Sequence, residues 1–305
     1  MKKLTTSSVA LAMFIVACGG PTVVATVDGV DIPATEVEEL SSTDASAVPA
    51  DEFANNLLNT IVEHIVIAQA DAQYGISFTD AEIEQRRADL EAQIVSQSGG
   101  TYDDFLQQQG FTNERIYRIA HQQLVADAVQ QDLVSEEGAI TDQDLQDAYD
   151  AGMLGFTTAC VSHILVPTEE EALAAKARID GGESFAEVAK DVGTDGTAPD
   201  GGDLGCNPLD QYVPEFGAAA LDLPLNTVSE PVKSQFGYHL ILVTERTTQP
   251  FDDVVDQLRT QVETERSGKL LQDWLLEVVK AADVSVDEQY GTWVTDPYPD
   301  VQPPQ

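Results

Sequence analysis

Two histidines and the glycine-rich stretch between them are the residues of this chain best suited to chemistry. His163 and His239 each lie in an apolar, β-branched run, which is typical of a β-strand. The stretch Gly-Gly-Asp-Leu-Gly at 201–205 predicts a tight connection, because glycine tolerates positive φ and close backbone approach. Such a pair of histidines suits a catalytic site. Alternatively, the two imidazoles have a structural role, in which they hydrogen-bond to each other in the core and fix each other's tautomers.

In this order, the motifs resemble the parvulin family of peptidyl-prolyl cis/trans isomerases. The resemblance covers about residues 156–247 and continues between the histidines. Three further motifs carry it. Phe-Ala-Glu-Val-Ala at 185–189 is similar to a helix motif of the family, and Val-Pro-Glu-Phe at 213–216 is similar to a turn motif. Val-Ser-Glu-Pro-Val at 228–232 is similar to the segment that precedes the last strand of the family. The resemblance implies an α+β domain, a small antiparallel sheet flanked by helices.

The family's functional residues can be placed on this sequence by position. The resemblance implies a histidine pair, a central carboxylate, a hydroxyl that bonds within the pair, and an apolar pocket for the proline ring. Tyr212 stands where methionine is common in the family. The implied catalytic residues are His163, Asp195, Ser234 and His239, and the implied substrate-binding residues are Leu204, Tyr212, Phe216 and Phe236.

The implied reaction is rotation about an X-Pro peptide bond, whose barrier is about 18–20 kcal/mol. Uncatalysed isomerisation takes tens to hundreds of seconds. A catalyst needs no nucleophile, no metal and no cofactor; it must bind the twisted amide better than either planar form. An apolar pocket with a few polar groups near the carbonyl meets this requirement.

Some of these residues also have a purely structural interpretation. Asp195 could be a turn residue in Gly-Thr-Asp-Gly at 193–196, whereas a carboxylate against an apolar pocket should titrate abnormally. Leu204 and Phe216 would be core residues in any fold. The loop after the first strand is predicted to carry Glu169–Glu171, which would repel a phosphoserine; the resemblance therefore implies a non-phospho-specific enzyme.

The composition sets limits on the class of protein. The 305 residues suffice for two domains, and the 43% hydrophobic content supports a buried core. The formal net charge of -38 excludes a basic patch that would bind nucleic acid. Such acidity favours either a saline habitat or cationic client proteins, and composition does not separate the two.

The N-terminus is typical of an exported lipoprotein. Two lysines precede an apolar run at 9–17 that is too short to span a bilayer. The run ends in Ile-Val-Ala-Cys, which resembles a bacterial lipoprotein cleavage box, so we expect a signal peptide at 1–17 and a lipidated tether at 18–22, with acyl chains on Cys18 anchoring the protein to a membrane. The alternative is an ordinary signal peptide with a chance cysteine.

Export to an oxidising compartment favours a disulfide between the two remaining cysteines. In an oxidising, extracytoplasmic compartment, Cys160 and Cys206 are more often paired than free. They lie at the start of the first parvulin strand and directly after the glycine stretch, and we expect a disulfide between them. The alternative is two small buried apolar residues.

The rest of the chain is predicted to be helical. The start of the mature chain, Val-Ala-Thr-Val-Asp-Gly at 24–29, resembles the opening of the chaperone region in SurA- and PrsA-type foldases. We therefore expect a helical chaperone region at 23–152, the parvulin domain at 156–247 inserted after it, a helix at 248–294 that packs back on the first region, and a disordered, proline-rich tail at 295–305. The polar helix faces are either solvated surface or a cradle for clients.

Together these features predict a lipid-anchored, extracytoplasmic peptidyl-prolyl isomerase and foldase. Its expected partners are unfolded or nascent exported polypeptides with X-Pro bonds. Two alternatives stay open at this point: a holdase-type chaperone whose parvulin domain binds peptide with little catalysis, and a structural envelope lipoprotein.

Overall fold

The computed structural model describes residues 21–41 and 48–304, which divide into two compact units. The discontinuous unit contains the described residues up to Glu137 together with those from Ser267 onward. The inserted unit is Gly138–Arg266. Within the described residues, no helix combines the length and the apolar character needed to cross a bilayer. The predicted lipidation site, Cys18, lies outside the described residues.

The elements alternate between helical stretches and short strands. The helices are α1 (Ala34–Glu38), α2 (Ala50–Tyr74), α3 (Asp80–Ser98), α4 (Tyr102–Gln109), α5 (Asn113–Glu137), α6 (Asp142–Ala151), α7 (Glu169–Asp180), α8 (Phe185–Val192), α9 (Pro214–Asp222) and α10 (Phe251–Ala281). The strands are β1 (Val23–Val27), β2 (Val30–Pro33), β3 (Thr157–Val166), β4 (Asp203–Pro208), β5 (Val232–Ser234), β6 (Gly237–Thr248), β7 (Val284–Val286), β8 (Thr292–Val294) and β9 (Asp300–Gln302).

Local capping sets several helix boundaries, as the sequence predicts. The Thr79 side chain accepts a hydrogen bond from the backbone N–H of Glu82, and the Glu82 carboxylate accepts one from the N–H of Thr79. Thr141 and Asp144 form the same capping box at the start of α6. α2 ends where Gly75 adopts a left-handed conformation with φ 70°. These predicted caps are confirmed.

A small sheet joins the two ends of the chain in the discontinuous unit. β1 pairs with β2 through a turn at Asp28 and Gly29, and on its other edge with β7. The helices α2 and α5 and the C-terminal part of α10 pack against this sheet around one apolar core. Its fully buried or nearly buried members include Val24, Leu57, Ile61, Ile65, Val129, Trp274 and Val278.

The predicted disordered tail at 295–305 is wrong for the part that the structure describes. β9 pairs with β8 in an antiparallel hairpin. Val301 is only 2% exposed and belongs to the same core as α2. The prolines suggested disorder, but Val301 is buried in the core that includes α2, and this burial opposes the cost of ordering the segment.

The inserted unit is a four-stranded antiparallel sheet of order β4-β3-β6-β5. α7 and α8 cover one face, where they pack on Ile164, Val166 and Leu240. α9 covers the other face, where Phe216 packs with Val161 and alternate residues of β6. The mixed architecture confirms the predicted α+β class.

The unit boundaries differ from those expected at about 152 and 248. α6 and the beginning of α10 belong to the inserted unit because they pack on each other through Leu145, Tyr149, Val254 and Leu258. The Tyr149 hydroxyl also donates a hydrogen bond of 2.5 Å to the backbone oxygen of Gln249. These contacts join the segments that directly precede and follow the parvulin region. The sequence patterns had placed both segments outside the parvulin domain.

Candidate active site

Strand alternation places the two histidines on the same face of the inserted sheet. His163 of β3 and His239 of β6 share this face with Val161 and Ile241, and their register makes them diagonal neighbours. Both are buried, their rings stack with centroids 5.3 Å apart, and their Nδ1 atoms are 3.1 Å apart. The β-branched runs that predicted two strands thus also bring the imidazoles into contact.

A continuous row of hydrogen-bonding groups runs through this pair. At one end, Nε2 of His163 lies 3.0 Å from Oδ2 of Asp195. At the other end, Oγ of Ser234 lies 2.8 Å from Nε2 of His239, and the backbone N–H of Phe236 donates to the same hydroxyl over 3.1 Å. The structure therefore brings together the four residues predicted to be catalytic.

The donors and acceptors along this row can be assigned from the charge on Asp195. Burial of Asp195 opposes its ionisation, but hydrogen bonds from His163 and Thr197 outweigh burial and lower its pKa. The ionised carboxylate only accepts, so Nε2 of His163 donates to it and Nδ1 becomes an acceptor. Nδ1 of His239 must then donate, its Nε2 accepts, and the hydroxyl of Ser234 donates to it. With both imidazoles neutral, each proton position follows from the charge on Asp195.

His239 is the neutral member on which this direction depends. Burial, and to a smaller extent the nearby His163, lower the pKa of His239 to about 4, and Asp195 opposes the shift. Neutral imidazole offers one donor and one acceptor, which is what the row requires at Nδ1 and Nε2.

Stability should therefore depend on pH through His239. Its folded-state pKa of about 4 lies below the unfolded value of about 6.5, so the unfolded chain binds more protons between these limits. Stability from this residue is full above about pH 6.5 and is lost as the pH falls towards 4, by at most about 3 kcal/mol. We expect urea unfolding of the parent, compared with His239→Gln, to show this extra loss.

The comparison with His239→Gln removes the contribution of the chain's many carboxylates, which titrate in both proteins. A parent and variant with parallel pH profiles from 7 to 4 would contradict a neutral His239 in the folded state.

Thr197 is a site residue that sequence reasoning missed. Its Oγ1 lies 3.0 Å and 3.1 Å from the two oxygens of Asp195 and 3.2 Å from Nε2 of His163. A hydroxyl two residues after an aspartate in a turn was the available signal, because such side chains commonly bond locally. Thr197 holds the carboxylate in the orientation that meets His163.

Gly202 provides the close approach that the glycine-rich stretch predicts. Its carbonyl accepts a hydrogen bond of 2.8 Å from the backbone N–H of His163. The residue has φ +78°, and a Cβ there would lie 2.0 Å from the carbonyl oxygen of His163. Only glycine leaves His163 in place at this position.

The predicted pocket residues lie around the same histidines. Phe216 of α9 is 2% exposed, and its ring centroid lies 5.3 Å from that of His239 and 4.8 Å from that of Tyr212. Leu204 and Tyr212 are partly buried against the same cluster. Phe236 is 64% exposed at the turn between β5 and β6. Phe216 is thus the floor of an apolar surface with Leu204 and Tyr212, and Phe236 is open to a ligand next to Ser234.

The acidic segment after β3 is helical, which corrects the predicted loop. Glu169–Glu171 form the first turn of α7, and Thr168 is its N-cap. Glu171 completes the capping box by accepting from the backbone N–H of Thr168. Carboxylates in a first turn are favoured by the helix dipole, which explains why three of them begin a helix. Glu169 and Glu170 stay exposed and free of the cap.

A disulfide lies beside the glycine stretch. β3 and β4 place Cys160 directly opposite Cys206, and their sulfur atoms are bonded to each other. β4 lies at one edge of this four-stranded sheet and pairs with β3. The bond therefore ties the strand that carries Leu204 to the strand that carries His163.

The remaining histidines have structural partners. Nε2 of His64 lies 2.7 Å from a carboxylate oxygen of Glu36, and His121 packs edge-on against Phe78. In residues 21–41 and 48–304, no group of three or more His, Cys, Asp or Glu side chains is arranged to hold a metal ion.

Residues 152–247 match the family model described as the PPIC-type PPIASE domain. With the four-stranded sheet and the paired histidines, this match defines the class: a parvulin-type peptidyl-prolyl cis/trans isomerase. The resemblance stated from the sequence is confirmed.

Relatives extend the likeness beyond this domain to most of the chain. Foldase protein PrsA of Clostridium kluyveri is 31% identical over 253 residues, covering 76% of this chain and 73% of that protein. Foldase protein PrsA of Clostridium acetobutylicum is 32% identical over 245 residues, with the same shares. The crystal structure of peptidylprolyl isomerase (PrsA) from Bacillus cereus has the same fold, with a TM-score of 0.50 and 24% identity over 89% of this chain and 96% of that one. The chain belongs to the PrsA foldase family, and it is a peptidyl-prolyl isomerase and foldase for exported proteins.

Proposed function

We propose that X-Pro bonds of exported polypeptides are isomerised on the surface formed by Leu204, Tyr212 and Phe236, above the floor residue Phe216. The proline ring packs on this apolar surface, and the carbonyl group before it faces Asp195. The observation that carries the proposal is the directional row of hydrogen bonds from Ser234 to Asp195, which ends beside the same surface.

The proposed catalysis is electrostatic. A planar amide owes its stiffness to resonance, which places negative charge on the oxygen and positive charge on the nitrogen. Twisting the bond removes this charge separation. A fixed anion near the carbonyl oxygen disfavours the charge-separated planar form more than the twisted one, so it lowers the barrier. Asp195 is the anion, and His163 and Thr197 hold it ionised and oriented.

The test of the function is acceleration of cis/trans exchange in a proline-containing tetrapeptide by the full chain, without added metal or nucleotide. A rate equal to that of the peptide alone, with the protein folded, would favour the alternative of a holdase that binds peptide with little catalysis.

We propose further that the site prefers basic residues before proline. The observations in support are the exposed Glu169 and Glu170 at the start of α7, next to the strand end Val166, which pairs with Tyr238 beside Phe236. Carboxylates at this rim attract Lys or Arg and repel phosphoserine, which carries about -1.5 to -2 charges.

Lys-Pro and Arg-Pro peptides should therefore be better substrates than Glu-Pro peptides, with phosphoserine-proline the worst. The preference should shrink with salt, because the Debye length falls from about 10 Å at 0.1 M to about 3 Å at 1 M. The double change of Glu169 and Glu170 to Gln should reduce it, whereas the same change of Asp252 and Asp253, in the first turn of α10, should not. Faster turnover of phosphorylated than unphosphorylated peptides would refute the argument.

We also propose that the protein is held at the membrane by lipid on Cys18. The support is the sequence alone: two lysines, a short apolar run and the cleavage-box pattern that ends at this cysteine. Two or more acyl chains give stable anchoring, where one chain is marginal. The expected result is that Cys18→Ser moves the protein from the membrane fraction to the soluble fraction; retention of the variant in the membrane fraction would contradict lipid anchoring.

A further inference from the structure

The wall of the isomerase pocket that carries Leu204 is a β-bulge in the pairing of β3 with β4. Cys160 pairs with Cys206, and the next pair joins positions 162 and 203, so one residue of β3 faces two residues of β4. These two residues are Leu204 and Gly205. Because a bulge bends its strand and redirects the side chains in it, this bulge sets the direction in which Leu204 points.

Local hydrogen bonds shape the bulge from both sides. Gly205 has φ +72°, a conformation that glycine adopts readily, and its backbone N–H donates a hydrogen bond of 2.8 Å to Oδ1 of Asp203. The side-chain amide of Asn207 donates a hydrogen bond of 2.8 Å to the backbone oxygen of Leu204. The bulge thus presents Leu204 to the apolar cluster that contains Phe216.

The two ends of the bulge are anchored differently. On the histidine side, the backbone N–H of His163 donates a hydrogen bond of 2.8 Å to the carbonyl oxygen of Gly202. On the other side, β4 ends at Pro208, which has no N–H to give to the ladder. The bond between Cys160 and Cys206 is the covalent link on this second side. The position of Leu204 therefore depends on a backbone anchor at one end and on the disulfide at the other.

β3 is also irregular at the same cysteine on its opposite edge, where it pairs with β6. The register shifts between Cys160 and Val161, which places Thr244 between two successive pairs. The hydroxyl of Thr244 donates a hydrogen bond of 3.3 Å to the backbone oxygen of Cys160. The disulfide thus crosses the sheet where the backbone ladder is interrupted on both edges of β3, and it adds a constraint that the ladder lacks there.

The disulfide is accessible to small thiols, because Cys206 is exposed and Cys160 is half-buried. Exposed disulfides are the labile ones in proteins. A small thiolate would attack Sγ of Cys206, break the bond and release the thiolate of Cys160. A second small thiol would then displace the first, so that two electrons and two protons pass to the protein cysteines and the small thiols leave as their own disulfide.

We propose that the Cys160–Cys206 disulfide and Asn207 are positioning elements of the isomerase, and that reduction of the disulfide by small thiols weakens substrate binding. Together they hold Leu204 against the proline ring of the substrate. The proposal rests on the proposed function, because Leu204 belongs to the proposed proline surface. The anchor between His163 and Gly202 lies on the far side of the bulge and stays intact on reduction. Reduction therefore changes the affinity for X-Pro segments and not the rate constant of the bound complex.

The experiment compares the full chain before and after treatment with an excess of a small thiol. The kcat and KM are measured on a proline tetrapeptide, and the Kd of a fluorescent X-Pro peptide is measured by anisotropy. We expect reduction to raise KM and Kd by roughly 5- to 10-fold and to leave kcat within about twofold, because part of the burial of one leucine side chain is lost. The double variant Cys160→Ser, Cys206→Ser should resemble the reduced parent and should not respond to the thiol.

Two single variants test the position of Leu204 without breaking the disulfide. Asn207→Ala removes the amide that holds the backbone of the bulge, and it should raise KM in the oxidised protein with kcat unchanged. Leu204→Ala should raise KM and abolish the further response to the thiol, because the contact that the disulfide controls is already lost. The matched control is Gln211→Ala, an exposed amide in the connection after β4, which should leave KM unchanged.

Near-UV circular dichroism shows whether the reduced unit keeps its fold. Loss of this signal together with kcat would overturn the proposal, because the disulfide would then stabilise the whole unit and not position one wall. So would values of KM and Kd that are unchanged by reduction and by Asn207→Ala, or a response to the thiol that persists in Leu204→Ala. A parent without isomerase activity whose peptide Kd still depends on the disulfide would contradict the proposed function and support the positioning role.

Discussion

Phe216→Ala should lower the free energy of unfolding of the inserted unit by about 3–5 kcal/mol, the usual cost of removing a buried phenylalanine ring. The ring is 2% exposed and contacts Tyr212 and both histidines, so the space it leaves is closed on several sides. Denaturant unfolding followed by near-UV circular dichroism measures the change. Isomerase activity should fall strongly as well, because the apolar floor under the histidines is lost.

The matched control is Phe236→Ala. Phe236 is 64% exposed, and a surface substitution of this kind usually changes stability by less than about 0.5 kcal/mol. Its effect should appear in KM, since the ring is available to a substrate and not to the core. Equal stability losses for the two variants would show that Phe216 is not the buried floor of the site.

The parts of the site that could be predicted are those carried by motifs of fixed spacing. His163 and His239 lie in apolar, β-branched runs that are typical of strands, and the family resemblance places Asp195 by counting back from the glycine stretch. Gly202 shows why this spacing is so restrictive: a side chain there would collide with the backbone of His163.

Other features depend on contacts between segments that are distant in sequence. The proline-rich tail looked disordered because the burial of Val301 is provided by α2, which no local pattern reveals. Thr197 was missed because its role comes from the geometry of one loop, not from a periodic pattern. The acidic start of α7 was predicted to be a loop, although Thr168 followed by Glu171 is a capping-box pattern that would have placed the helix correctly.

The polar faces of the helices suggested either solvation or a cradle for clients, and the choice depends on which faces of α2, α5 and α10 meet. Amphipathic periodicity predicts that a helix has an apolar face, but it does not say whether neighbouring helices cover that face completely.

Asp195→Asn should reduce kcat by roughly 10- to 100-fold, which corresponds to the contribution of about 1.5–3 kcal/mol of one hydrogen bond to a charged group. Asparagine has nearly the same shape, so the loop should keep its conformation while the anion is lost. The amide can also donate to Nε2 of His163, which would reverse every donor and acceptor as far as Ser234. The loss should fall on kcat, since the anion disfavours the bound planar amide more than the twisted one.

The mechanism requires that this loss comes from the charge at one position and not from acidity in general. Asp200→Asn removes an equal charge from an exposed position in the same loop and should leave kcat/KM within about twofold of the parent, as is usual for a surface change. Thr197→Val keeps the carboxylate but removes its hydroxyl partner, so its effect should be intermediate. Nitrogen-15 chemical shifts of the imidazoles report the tautomers directly: the parent should carry the His163 proton on Nε2 and the His239 proton on Nδ1. If Asp195→Asn retained both the parent's kcat and these tautomers, the carboxylate would be only a turn residue, and catalysis would rest on the apolar surface alone.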